Sequence, residues 1–319
     1  MKFNVFTAVV ALVATAILTG CTNAKMERME TYSQRQADVS MARNVALYSS
    51  LTEEDGPLLD IPRSELPNNL KGASDHEVAN SFDTVGLSTL GIAQFNGFAV
   101  PAGMSDAAAG AMSVVGGLFL PDRAPHPALR HQVLAWMPLD AAPSGKEAAA
   151  KLKGMVKLAF IDSMPEGYTY TERKVTKTPT FGSPYTVVYP TIEGPGCPNE
   201  NGLECRVWWS IGEEPLQESA PSWSGSEGMS YAWLNWPDGA DEPDFRDSFS
   251  AFFRVQYAES DRDYGTTRND WLKVHGHEVF KKMSSMLPNW IYLYVPPAEK
   301  HPYPAIFNHG ETHLFVEPE

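Results

Sequence analysis

Positive charge is scarce in this chain: 25 lysines and arginines stand against 39 aspartates and glutamates, a formal net charge of −14. A surface of that sign repels phosphate backbones and anionic headgroups. It excludes nucleic acid as a partner and speaks against electrostatic docking of the whole body on a membrane. Cysteine is scarce as well, with three in 319 residues. The signatures of common chemistry are absent: there is no Gly-x-Ser-x-Gly elbow, no glycine-rich phosphate loop and no His-Glu-x-x-His helix. No catalytic residue, metal ligand or cofactor is therefore assigned. No apolar run reaches the roughly 20 residues that a membrane-spanning helix needs.

What is present is globular material. Hydrophobic residues make up 43% and charged residues 20% of the chain, enough to bury a sizeable core in one or two domains. Residues 3 to 20 carry no charge, follow Lys2, are dominated by Phe, Val, Ala, Leu and Ile, and end in Thr19-Gly20 ahead of Cys21. That pattern is a secretory signal.

Leu18-Thr19-Gly20-Cys21 resembles the lipobox of bacterial lipoproteins. The resemblance implies lipid on Cys21, cleavage before it and a mature chain that starts there. In that family an Asp after the cysteine retains the protein at the inner membrane of enteric-type bacteria. Thr22 stands at that position, which implies the outer membrane; the body is expected on its periplasmic face, a side that the residues themselves do not fix.

With Cys21 acylated, Cys197 and Cys205 remain, in the turn-rich stretch Gly194-Pro-Gly-Cys-Pro-Asn-Glu-Asn-Gly-Leu-Glu-Cys205. An oxidising compartment and an even count predict a disulfide. Closing so short a loop is worth about 2.5 kcal/mol on the chain-entropy model, so it pins a hairpin rather than holding the fold together. A metal pair is the rival, but no second cysteine or histidine pair stands beside it at zinc spacing.

The chain divides by composition into a signal (1–20), a polar and partly helical tether (21–80), a Gly/Ala-rich apolar segment (81–120) and a globular α+β domain (121–319). In the tether, Met26, Met29, Tyr32, Gln36, Val39, Ala42 and Ala46 fall near helical spacing, which suits a helix laid against the body or a partner. In the apolar segment Asp106 is the single ionisable residue between Val85 and Leu120. Ala109, Ser113 and Gly117 recur every fourth residue there, a small-residue ridge that lets another backbone approach closely. The layout is similar to that of surface-exclusion lipoproteins of conjugative plasmids, a likeness of order that carries no residue motif.

The globular part reads as two β-α-β units. The first runs from a strand over His131–Leu139, through a helix opened by the capping box Ser144-Gly-Lys-Glu147, to a strand over Tyr168–Val175. The second runs from a strand over Phe249–Tyr257, through a helix from about Thr267 to Met286, to a strand over Asn289–Val295. Both helices end in proline followed by an aromatic residue. The expected fold is α+β: an antiparallel or mixed sheet with both helices on one face, plus the apolar insertion. Pro184–Thr191 and Arg206–Ile211 supply strands beside the disulfide, and the tail forms a hairpin turning at Asn308-His309-Gly310.

Two clusters bear on function. Trp208, Trp209, Trp223, Trp233 and Trp236 suit a core, a sugar-stacking platform or a protein anchor. His309, Glu311 and His313 flank the final turn. His275 and His277 sit two apart on a helix and cannot share an ion. The leading expectation is a non-enzymatic, lipid-anchored scaffold or interaction component of an outer-membrane or periplasmic assembly, with an envelope protein as partner. The alternative is a periplasmic hydrolase or glycan-binding module using the Trp-rich region with His309, Glu311 and His313.

Overall fold

The computed structural model describes residues 31–52, 58–66, 68, 71–72, 78, 128, 130–178, 183–234, 251–258, 267–268, 271–298, 301 and 303–318. Within them the protein is mixed α+β, with antiparallel strand pairing throughout. The strands are β1 (His131–Pro138), β2 (Thr169–Lys177), β3 (Tyr185–Glu193), β4 (Glu204–Ile211), β5 (Leu216–Ser219), β6 (Met229–Trp233), β7 (Ala251–Ala258), β8 (Thr267–Arg268), β9 (Ile291–Val295), β10 (Ala305–Asn308) and β11 (Glu311–Leu314). The main path runs β11-β10-β9-β1-β7-β4-β3-β2.

The sheet forks at β1. His131 and Gln132 pair with β7, while Ala135 to Pro138 pair with β6, which carries β5 on its far edge. The β3–β4 ladder consists of Thr191↔Arg206 and Ile192↔Cys205. It stops where Pro190, which has no N–H to give, would come next.

Among the described residues three α-helices flank the sheet: α1 (Met41–Tyr48), α2 (Gly145–Asp162) and α3 (Trp271–Met286). Half of the capping box expected for α2 forms, Ser144 capping the helix while the Glu147 carboxylate meets the Ser144 hydroxyl rather than its backbone amide. The Ser144 hydroxyl oxygen accepts from the Glu147 amide at 3.3 Å, and the hydroxyl lies 3.2 Å from the Glu147 carboxylate. Ala148, Ala149, Leu152, Val156, Ala159 and Phe160 supply the buried stripe. α3 begins later than expected. Thr267 and Arg268 pair with Tyr257 and Gln256 of β7 as the short strand β8, so a ladder rather than a helical turn takes their backbone.

The expected pair of β-α-β units does not join neighbouring strands. β7 and β9, linked through α3, both flank β1. β1 and β2, linked through α2, are separated by β7, β4 and β3. Both helices do lie on one face, packed on each other and on Val133, Ala135, Val207, Leu293 and Phe307 in one continuous core. Because a strand turns alternate residues to opposite faces, Leu134, Trp136, Tyr292, Tyr294 and Ile306 form a second core on the other side. β1 and β9 are thus buried on both faces, and their near-unbroken apolar character follows from that.

The final hairpin forms at the expected place. Asn308 pairs with Glu311, and His309 and Gly310 both have positive φ, 48° and 86°. That is the geometry of a two-residue type I′ turn, which matches the twist of the flanking strands. The Asn308 side-chain amide donates to the carbonyls of Asn289 and Ile291, both at 2.8 Å, and fastens the turn to the start of β9.

Residues 1–20, Cys21 and the segment 81–120, with Ala109, Ser113 and Gly117, lie outside the described residues. Among the described residues no helix is long and apolar enough to cross a membrane.

Candidate functional site

The second core is where the N-terminal part of the chain meets the body. α1 is short, and eight residues form a marginal helix in isolation. It is held by tertiary contacts. Ser40 caps it, its hydroxyl oxygen accepting from the Arg43 amide at 3.0 Å, and Ser40 in turn donates to both oxygens of Asp60, at 2.7 Å from its amide and 2.5 Å from its hydroxyl. Burial raises the Asp60 carboxyl above its ordinary range, while the two Ser40 bonds and the Arg43 charge pull it back down. Ala42, Val45, Ala46, Leu47, Tyr48 and Leu51 bury their side chains in the second core.

An aromatic cluster forms the floor of this seat. Tyr48, Trp136, Trp223 and Tyr292 meet edge to face, with ring centroids 5.3 to 5.9 Å apart. Each polar tip is used. The Trp136 indole donates to Glu218 at 3.1 Å, and the Tyr48 hydroxyl lies 3.1 Å from the same carboxylate oxygen. The Tyr292 hydroxyl donates to the Trp223 carbonyl at 2.7 Å, and the Trp223 indole donates to the Tyr32 carbonyl at 3.0 Å. Burial, then the Glu218 charge, push the Tyr48 phenol well above its ordinary value, and burial does the same for Tyr292. Both phenols stay protonated and act as donors at neutral pH.

Further stitches close both ends. Ser222 donates its amide to the Ser33 carbonyl at 2.9 Å. Ile61 donates to Phe315 at 2.8 Å and accepts from Glu317 at 3.0 Å, a single bridge running parallel to the C-terminal segment. Of the residues expected at helical spacing only Ala42 and Ala46 fall on α1, while Gln36 and Val39 lie in the non-helical stretch 33–40 and Met26 and Met29 lie outside the described residues. The short helix lies against the body, and packed structure is present by Tyr32, which is 9% exposed. Chemically the arrangement fastens one part of the chain to another.

The other expected site residues are placed as follows. Cys197 and Cys205 form the disulfide, with Cα atoms 5.4 Å apart, and both are buried against the helix-side core. Trp233 is fully buried and its indole donates to the Gly212 carbonyl at 2.9 Å. Trp209 stacks on Tyr170, and Trp223 belongs to the seat just described. Trp236 lies outside the described residues.

His309, Glu311 and His313 do not converge. His313 approaches Glu311 at 4.0 Å, whereas the His309 ring nitrogen lies 3.4 Å from the Leu287 carbonyl. Among the described residues no three His, Cys, Asp or Glu side chains gather as metal ligands.

The histidines of α3 diverge, as their spacing requires. His275 packs on Trp271 and Tyr168, its ring nitrogen 3.3 Å from the Tyr168 hydroxyl. His277 is buried, not a surface residue, and stacks on His301 with centroids 3.9 Å apart and planes within 6°. Burial, then the neighbouring His301 and Lys281, pull its pKa down to about 3.

Gly276 lies between them for a reason the sequence hides. A Cβ there would come within 2.7 Å of the His131 ring nitrogen, so the helix and β1 approach closely only over glycine. Burial also lowers the pKa of His131 to about 3.

The residues that sequence reasoning missed are Trp136, Glu218 and Tyr48 of the seat, and His131 and His301 of the helix side. Ser40, a capping residue ahead of Ala42, Val45 and Ala46, is a local signal that could have found α1. Comparison of the chain with protein-family models, with curated proteins and with solved structures finds no match.

Proposed function

We propose that the protein is a lipid-anchored component of a bacterial cell envelope, held at the outer membrane through Cys21, that acts without chemistry as a scaffold or interaction module. The observation that carries this reading is the pairing of the lipobox with an early start to the packed structure. From Cys21 to Tyr32 there are eleven residue steps, a reach of at most about 40 Å when fully extended. A body fastened at Tyr32, Ser33 and Ser40 stays within that distance of the acyl chain. Tethering of this kind raises local concentration at the bilayer.

The apolar segment 81–120, with its small-residue ridge at Ala109, Ser113 and Gly117, is the proposed hydrophobic contact for an envelope protein partner. We further read the two strand-helix-strand passages as β-α-β units from an old duplication. Their exits correspond: Pro165 accepts from the Tyr168 amide at 3.1 Å, and Pro288 accepts from the Ile291 amide at 3.0 Å.

Fractionation tests the anchor. Cys21→Ser, with unprocessed precursor excluded, is expected to leave sedimented membranes after a carbonate wash, and retention overturns the proposal. Deleting residues 86 to 118 is expected to release co-purifying proteins while leaving Cys21 acylated. An unchanged set of partners overturns the role assigned to that segment.

A further inference from the structure

The chain is acidic as a whole, yet its helical layer is not. α2 carries Lys146, Lys151, Lys153 and Lys157 against Glu147 and Asp162, and α3 carries Lys273, Lys281 and Lys282 against Glu278. Seven lysines against three acids make the two helices net +4, so the rest of the chain carries −18 of the total −14. Lys146, Lys151, Lys153 and Lys282 are exposed and Lys157, Lys273 and Lys281 half-buried, while the three acids Glu147, Asp162 and Glu278 are exposed as well, so the excess of positive charge comes from the half-buried lysines together with the exposed ones. Lys157 pairs with Glu172 of β2, which leaves the balance of the layer unchanged once Lys174 of the same strand is counted. The same layer presents Leu158, Val274 and Met286, which are 62%, 41% and 42% exposed. Lysines interleaved with outward apolar side chains are the pattern of a surface that rests on a headgroup layer.

We infer that the α2–α3 layer is a docking surface for anionic phospholipid headgroups, and that it orients the body on the bilayer to which Cys21 is fastened. The inference rests on the proposed lipid anchor. Charge complementarity selects the occupant: an anionic sheet of headgroups meets a basic layer on a molecule whose remaining surface it repels. The total charge does not decide the outcome, because charges more than about 8 Å from the headgroups are screened at physiological salt. The leash also allows it. Tyr32 lies in the core on the opposite side of the sheet. The straight line from there through the sheet to the outer surface of the helices is about 25 Å, one sheet-to-layer spacing on each side plus a helix radius. The chain from Cys21 can span roughly 40 Å, and it needs the difference because its path runs round an edge of the sheet.

The test uses the full chain with its acyl group verified by mass, reconstituted in vesicles of phosphatidylcholine alone or with phosphatidylglycerol added. Acetylation rates of Lys151, Lys153 and Lys282 are read by mass spectrometry, with Lys177, which lies over the Tyr189 ring, as the internal reference. The three lysines are expected to react about fivefold more slowly on the anionic vesicles, the factor one lysine contributes near such a surface, and to recover in high salt. Lys153→Glu with Lys282→Glu, both at exposed positions, is expected to abolish protection of Lys151.

Equal rates on both vesicles overturn the inference, as does protection that salt leaves intact. Protection by poly-glutamate but not by lipid also overturns it and makes the layer a protein-docking face. Absence of acyl on Cys21 overturns the proposed anchor instead. The unacylated chain mixed with the same vesicles then decides the inference by itself, with sedimentation on anionic vesicles expected and none on neutral ones.

Discussion

The two faces of the sheet are covered in different ways. On one side, α2 and α3 run for 18 and 16 residues and bury continuous apolar stripes, with few polar contacts needed to hold them. On the other side, an eight-residue helix and two loops cover a floor of aromatic rings. Each ring there also makes a hydrogen bond, those of Trp223 to Tyr32 and of Tyr48 to Glu218 crossing between the N-terminal segment and the body, those of Trp136 and Tyr292 bracing the floor itself. Long helices supply enough apolar area to be held by burial alone, whereas a short one needs directional bonds to offset its ordering entropy. The seat is accordingly specific about what it accepts, and the helix side tolerates more variation.

Removing a large ring from each face gives the biggest expected effects and separates the two. Phe160→Ala and Trp136→Ala should each cost about 3 to 5 kcal/mol in denaturant unfolding. Trp136→Ala alone should also raise amide hydrogen exchange across Met41–Tyr48 ahead of global unfolding, because Glu218 then loses the indole that helps position it for Tyr48. Equal protection of α1 in the two variants breaks the distinction.

Opening the helix-side disulfide comes next. Cys197→Ser with Cys205→Ser should lower stability by about 2.5 kcal/mol, without loosening α1, as read by the same exchange experiment.

Acid should act through the helix side. His131 and His277 have folded pKa values of about 3, below the ordinary 6.5. The unfolded chain binds their protons first, so the stability they permit is complete above pH 6.5 and is lost as pH falls from there toward 3. Between pH 7.5 and 5.5 the two together should cost about 2 kcal/mol, allowing for partial solvation of His131. His277→Gln should remove about half of that slope in a series of urea titrations, and an unchanged slope refutes its assignment to His277.

The smallest expected effects compare the two helix caps. Ser144→Ala should cost about 1 kcal/mol. Ser40→Ala should cost somewhat more, about 1 to 2 kcal/mol, because it also leaves the buried Asp60 carboxylate with one donor fewer. Equal losses imply that Asp60 contributes nothing to the seat.

Much of the helix side could be read from the chain. Ser144 and Glu147 sit three apart and announce the start of α2, Asn308-His309-Gly310 announces the last turn, and Cys197 and Cys205 announce their bond. Thr267 misled, because its place in the ladder depends on β7 and not on its neighbours in sequence. The seat was nearly invisible. Tyr32 and Trp223 are 191 positions apart, and Tyr48 and Glu218 are 170 apart. Composition made residues 21–80 look like a tether, yet Tyr32, Ala42, Val45, Ala46, Leu47, Tyr48, Leu51 and Leu58 of that stretch lie in a core.

The sequence by itself determined the start of α2, the final turn and which cysteines join, because caps, turns and close cysteine pairs act over a few residues. Only the tertiary structure decided the strand order, the closing of the N-terminal segment over Trp136 and the gathering of lysines on one layer. Those depend on contacts between distant parts of the chain, and their selection is made by how well faces pack when folded, which no local pattern encodes.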